Sequence, residues 1–262
     1  MVDYQLGLAP AGCVAETSAD GRLRADGTVE RSWQPEGTDG YLVRNADAVS
    51  ERWRFTCDDE VRYVGPSTGR AMIITPRPEA PAVATGGARG DVDPGTAANA
   101  VRELTDALGT NGMAATGTPE VVWGGRLPGT SQEAVLVQSC EAGGGCAALL
   151  AQDLDEVDTA RGVRSQTAVG RPDLVAVRVP FSDQVLVVGP PAATRAELLD
   201  VDGSALAEGA LADGVGVLSY AAGADPIATV RVFDDRDRVV ASMPAASDLG
   251  SVWFGEPVIE NW

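Results

Sequence analysis

The chain has 262 residues, 44% of them hydrophobic, and a formal charge of −18 with no histidine; all twenty of its basic residues are arginine. Such a length fits one large β domain or a few smaller ones, and the apolar fraction is enough for a buried core. Without imidazole or primary-amine side chains there is no Ser–His or Cys–His nucleophile, no histidine metal ligand, no Schiff-base lysine and no phosphate-loop lysine. The acidic balance repels phosphate backbones and anionic membranes, so no nucleic-acid partner is expected.

Plentiful glycine (31) and proline (16) point to short elements joined by many turns. The first block, 1–75, carries Asp-Gly turn signals at Asp20, Asp26 and Asp39. Strands are expected at 41–43, 53–57, 61–64 and 72–74. In 53–57 the side chains alternate, which places Trp53, Phe55 and Cys57 on one face. A linker or long surface loop is expected over 76–93, marked by Pro76, Pro78, Pro81 and Gly86-Gly87.

One amphipathic helix follows, near 94–108. Asp93 suits its N-cap and Pro94 its first position, Ala97, Val101, Leu104 and Leu108 form one apolar stripe, and Gly109 can end it. The remaining chain, 94–262, reads as this helix plus β-sheet, with a sandwich-like part over 189–262. Strands are expected at 121–123, 134–138, 147–151, 174–179, 184–188, 196–199, 216–220, 229–233 and 238–242, separated by turn signals. The fold class is therefore mainly β (α+β), with sandwich or meander-like sheets and a single helix.

Four cysteines, an even number, imply a disulfide framework. Their order and spacing favour Cys13–Cys57 and Cys140–Cys146 among the connectivities four cysteines allow. Zinc is disfavoured, because no Cys-x-x-Cys is present and no histidine completes a set. Residues 140–146 read as a Gly-rich hairpin tip closed at its neck. Disulfides imply an oxidising compartment, so the chain is placed outside the cytoplasm, secreted or anchored on the outer face. No stretch would insert directly in a membrane, and no signal peptide opens the sequence. The full-length chain is expected to be longer, with a signal or membrane tether ahead of Met1.

Catalytic and metal sites are not assigned. An EF-hand loop starting at Asp200 fails, since Ala205 and Leu211 stand where glycine and glutamate are required. The denser acidic runs, Asp153 to Asp158 and Asp234 to Asp237, read as solvated faces, with Ca²⁺ as the sharper alternative. No Gly-x-Ser-x-Gly elbow occurs. Trp123, Trp253 and Phe254 could serve sugar stacking, and Trp253, Phe254 and Trp262 form a candidate binding patch in an apolar C-terminal stretch.

The run Val121-Val122-Trp123-Gly124-Gly125-Arg126-Leu127-Pro128 after a helix, with acidic turns such as Asp234-Asp235-Arg236-Asp237 further on, resembles membrane-anchored or secreted actinobacterial ectodomains in style over residues 94–243. The resemblance implies location and a tether, and carries no catalytic residues. The expected function is a non-enzymatic binding or sensing ectodomain of a cell-envelope protein, with a protein or an envelope glycan as partner and no cofactor. The alternatives are a secreted carboxylate-dependent glycan hydrolase and a Ca²⁺-stabilised adhesion module.

Overall fold

The computed structural model describes residues 4–24, 26, 28–37, 40–45, 51–66, 83, 85–113, 117–130, 132–141, 144–153, 163–180, 182–221, 227–245, 256 and 259–261. The protein is mainly β, with one α-helix among the described residues. The expected strand at 72–74 and most of the proline-rich stretch after it lie outside the described residues.

The N-terminal strands are β1 (Tyr4–Leu8), β2 (Val14–Ser18), β3 (Arg22–Leu23), β4 (Val29–Glu30), β5 (Gln34–Gly37), β6 (Tyr41–Asn45), β7 (Arg52–Cys57) and β8 (Glu60–Pro66). After them come β9 (Arg89–Gly90), helix α1 (Pro94–Thr110), β10 (Glu120–Arg126), β11 (Glu133–Cys140), β12 (Cys146–Asp153), β13 (Val163–Arg171), β14 (Leu174–Arg178) and β15 (Gln184–Val188). The chain closes with β16 (Arg195–Leu199), β17 (Ala205–Ala210), β18 (Val215–Ser219), β19 (Thr229–Phe233), β20 (Val239–Pro244) and β21 (Ile259–Glu260).

The N-terminal block is a five-stranded antiparallel sheet in the order β21-β8-β7-β2-β5, crossed by the two-stranded ribbon β1-β6. As the alternation required, Trp53 and Phe55 turn to one face, where they pack with Ala15 and Leu42. The ribbon comes down on these rings through Gly7, where any Cβ would lie 2.7 Å from the Trp53 indole. Its other face holds Leu6, Leu8, Tyr41 and Val43 exposed. Cys13–Cys57 ties the residue before β2 to the end of the neighbouring strand β7.

The helix forms as its stripe demands. The Asp93 side chain caps it by accepting from Thr96 N at 2.6 Å. Ala97, Val101, Leu104 and Leu108 are all buried. The helix runs on past Gly109 to Thr110, and Asn111 rather than the glycine closes it, its N–H reaching Ala107 O and Leu108 O.

The centre of the molecule is an eight-stranded sheet in the order β18-β15-β14-β13-β12-β11-β10-β9. Its strands β11, β12, β14 and β15 are apolar on both faces. Along β11, Leu136 looks to one side and Val135 and Val137 to the other; along β12, Leu150 and Leu149 divide the same way. Burial on both faces turns these segments into near-continuous apolar runs. Between β13 and β14 the sheet turns a corner, since these strands share only the pairs Gly170↔Val175 and Arg171↔Leu174. Beyond the corner it curls back, so that Leu136 and Leu150 from one half meet Val177 and Leu186 from the other in a single interior cluster.

The curl is nearly a barrel. β9 and β18 are its two free ends, and the Arg89 side chain on β9 spans them. Its Nη1 donates to Gly189 O at 2.7 Å, just past β15, and to Asp213 O at 2.8 Å, just before β18. β9 itself can lie against β10 because Gly90, at φ +80°, has no Cβ; one would sit 2.1 Å from Gly124 O. Outside the barrel, α1 covers β11 and β12, and the four-stranded sheet β17-β16-β19-β20 covers β14 and β15. The interior is filled by side chains, as expected at this strand number.

Candidate functional site

A filled barrel leaves its two mouths as the concave places. Strand direction sorts the connections: the 127–132 turn, the end of β12, the β14–β15 turn and the end of β18 gather at one mouth. There they enclose a cavity of about 460 Å³ lined by Thr130, Gln132, Gln152, Asp183, Gln184 and Tyr220 among others. The inward alternation explains why it is polar. Counting in steps of two, Ala134 leads to Gln132, Leu150 to Gln152, Leu186 to Gln184, and Val217 to Ser219. Each of these interior columns changes from apolar to amide or hydroxyl at the lower end of its strand.

The rim of this lower mouth is held by its own backbone. Val179 N donates to Gln184 O at 2.9 Å, Tyr220 N to Asp183 O at 3.0 Å, and Thr130 N to Leu127 O at 3.1 Å. Gln152 is only 3% exposed although it lines the cavity. The Arg178 guanidinium stands 5.3 Å from the Tyr220 ring centroid, and the Tyr220 hydroxyl is buried without a hydrogen-bond partner. The arrangement offers neutral donors and acceptors on a fixed frame, with one carboxyl group, Asp183, among the described lining residues.

The opposite, upper mouth is a cavity of about 680 Å³. Val83, Val101, Pro119, Val121, Val122 and Pro172 give it apolar walls, and Glu120 is exposed at its rim. Arg89 lines it as well, and burial pushes its guanidinium below the ordinary value, with Asp213 opposing. Gln138 stands in the wall at 6% exposure, and its Oε1 accepts no hydrogen bond.

Both disulfides form as spacing favoured, Cys13–Cys57 and Cys140–Cys146, and they suggest an oxidising environment. Cys140 and Cys146 are a directly opposed pair at the neck of the β11–β12 hairpin. Gly144 and Gly145 at its tip make a close contact with the N-terminal block. Gly145 N donates to Leu23 O at 3.0 Å, and a Cβ there would lie 2.3 Å from Arg24 O, so the N-terminal block docks on bare backbone.

The patch residues Trp253, Phe254 and Trp262 lie outside the described residues. Trp123 is buried in the barrel interior, with Leu127 and Leu136, and is no stacking platform. Two acidic turns hold their leading carboxylates internally. Asp200 Oδ1 accepts from Asp202 N and Ser204 N, and Asp234 Oδ1 from Arg236 N and Arg238 N. Asp234 also receives the Arg238 guanidinium at 2.6 Å, which, with the backbone donors, holds its carboxyl down at about 2. Among the described residues no group of three potential ligands is placed to hold a metal ion.

Sequence reasoning missed one ionic cluster. Arg31 and Arg52, with side chains 2% and 0% exposed, converge on Glu256. Arg31 grips it with both prongs of its fork, at 2.6 and 2.7 Å, and also reaches Asn111 O and Gly112 O at the end of α1. Burial lowers the Arg52 guanidinium below its ordinary value, opposed by the Glu256 charge. The cluster fastens the N-terminal block to the helix and to the C-terminal segment. The glutamines of the two mouths were missed too; their signal was a single amide two residues beyond an apolar position in several strands.

No helix among the described residues is long and apolar enough to cross a membrane. Comparison with protein-family models, curated proteins and solved structures finds no match for this chain.

Proposed function

We propose that this chain is a non-enzymatic binding or sensing ectodomain of a bacterial cell-envelope protein, tethered on the outer face, and that its lower barrel mouth takes a neutral envelope glycan. The observation that carries the reading is the convergence of Gln132, Gln152, Gln184 and Ser219 on one cavity at the lower mouth. Amides offer a donor and an acceptor side by side, which matches neighbouring hydroxyls of a sugar, and barrel mouths are common ligand sites. A neutral ligand also avoids the field of a strongly acidic protein. The two disulfides support an oxidising, extracytoplasmic place of work.

The binding reading is favoured over hydrolysis because glycosidases work with a pair of carboxyl groups across the scissile bond. Among the described lining residues the lower mouth holds Asp183 and the upper mouth Glu120, one carboxyl each. It is favoured over a Ca²⁺ module because the leading carboxylates of the Asp200 and Asp234 turns are engaged by their own backbone; residues 154–158 of the other acidic run lie outside the described residues.

The test is a titration of isotope-labelled protein with neutral trisaccharides, maltotriose and chitotriose, followed by amide shifts and by product analysis. Saturable shifts centred on Gln152, Gln184 and Ser219, weakened at least several-fold by Gln184→Leu, are expected, with the sugar recovered intact. Cleaved sugar would turn the reading toward a hydrolase. Undisturbed spectra with both sugars would remove the glycan assignment.

A further inference from the structure

We propose that the upper mouth is a second, independent binding site, selective for an uncharged, largely apolar molecule that carries one hydrogen-bond donor. Gln138 occupies an inward-facing position of β11, two residues beyond Leu136, and is more than nine-tenths buried. Its Oε1 lacks a donor. A buried carbonyl left unsatisfied is costly, so such a group is retained where something supplies the missing donor. The cavity it lines, about 680 Å³, has the size of a small-molecule site.

The other polar groups of the wall are already occupied or face outward. Thr105 donates its hydroxyl to Val101 O at 2.9 Å, and Arg89 Nη1 is shared by the two carbonyls that close the barrel. Glu120 is exposed at the rim, directly opposite Gln138 across the β10–β11 ladder, where it disfavours an acid. The remaining surface is mostly valine and proline, with Gly86, Gly87 and the exposed Thr118 beside them. Apolar walls with one inward amide oxygen select a hydrophobic body bearing a hydroxyl or an amide N–H. This site shares no residue with the glutamine ring at the other end, so it stands or falls separately from the glycan reading.

The probes are cyclohexanol, methylcyclohexane and cyclohexanecarboxylate, titrated into the isotope-labelled full chain. Cyclohexanol should give saturable shifts in the millimolar range at Gln138, Val122 and Thr105 while the amides of Gln152, Gln184 and Ser219 stay still. Methylcyclohexane, and cyclohexanol with Gln138→Leu, should bind about five- to tenfold more weakly, the size of one lost hydrogen bond. Thr105→Phe, at an exposed position on the helix side of the cavity, should block binding and keep the wild-type melting temperature, which guards against an unfolded Gln138 variant. Three results would each overturn the proposal: no saturable response to cyclohexanol, equal binding of methylcyclohexane, or preference for the carboxylate.

Discussion

The N-terminal block and the barrel solve the same problem, keeping β-sheet folded in an acidic, glycine-rich chain, by different means. The barrel buries apolar side chains on both faces of its strands, inside against its own far wall and outside against α1 or the four-stranded sheet. The block has a small core built on Ala15, Leu42, Trp53 and Phe55. It adds a disulfide across 44 residues, the Arg54–Glu16 fork between paired strands, the contacts of Arg44 with Glu36 and Glu51, and the buried Arg31–Glu256–Arg52 cluster. Small cores need such staples because they bury too little apolar area to offset chain entropy. The difference teaches where covalent and ionic contacts matter in this molecule, and where they are incidental.

Removing disulfides should break the comparison most sharply. Replacing Cys13 and Cys57 by serine should cost about 4 kcal/mol in the chain-entropy model. Replacing Cys140 and Cys146, separated by 6 residues, should cost about 2 kcal/mol. Denaturant titration gives the totals, and hydrogen exchange should show the first change opening β2, β7 and β8 while β11 and β12 stay protected. Equal losses from the two pairs would mean that the block depends on its disulfide no more than the barrel does.

The ionic cluster comes next. Glu256→Gln removes the charge that Arg31 and Arg52 share and should cost about 3 kcal/mol, as for a broken buried pair. Arg54→Met, at a half-exposed pair, should cost under about 1 kcal/mol. Loss of protection at Asn261, whose N–H donates to Arg62 O, would report release of the C-terminal segment. If both substitutions cost the same, burial is not what gives the cluster its strength.

The smallest effect is acid titration of the β19–β20 turn, outside the block. Asp234 has its folded value lowered from 3.8 to about 2, first by the Arg238 side chain and then by backbone donors. A depressed carboxyl contributes stability above its unfolded value and loses it as pH falls through the folded one. The turn should therefore keep its full contribution down to about pH 4 and lose it toward pH 2. Carbon-detected titration of the carboxyl reads this directly, and Arg238→Gln should move the midpoint back toward 3.8.

Local features were legible in the sequence because they depend on neighbours along the chain. The Asp93 cap and the Ala97–Leu108 stripe define α1, and both disulfides follow from order and spacing. The apolar runs of β11, β12, β14 and β15 are visible as strands, although their letters do not say that both faces are buried. β13 was not visible: Val163 to Arg171 is mostly polar, yet it is the corner strand of the central sheet and pairs along the whole of β12. Arg89–Gly90 lies in a stretch that reads as loop, and becomes a strand only because Gly90 admits the β10 backbone.

The mainly β class, the helix and a favoured cysteine pairing could be read from the letters alone, since periodicity, caps and cysteine order are properties of short stretches. The curl of the sheet, its closure by Arg89 and the gathering of Gln132, Gln152, Gln184 and Ser219 at one mouth were decided by tertiary structure alone. Residues from four separate strands and turns meet in one cavity only once long-range pairing has fixed strand register, and each one alone reads as an ordinary polar residue at a strand end.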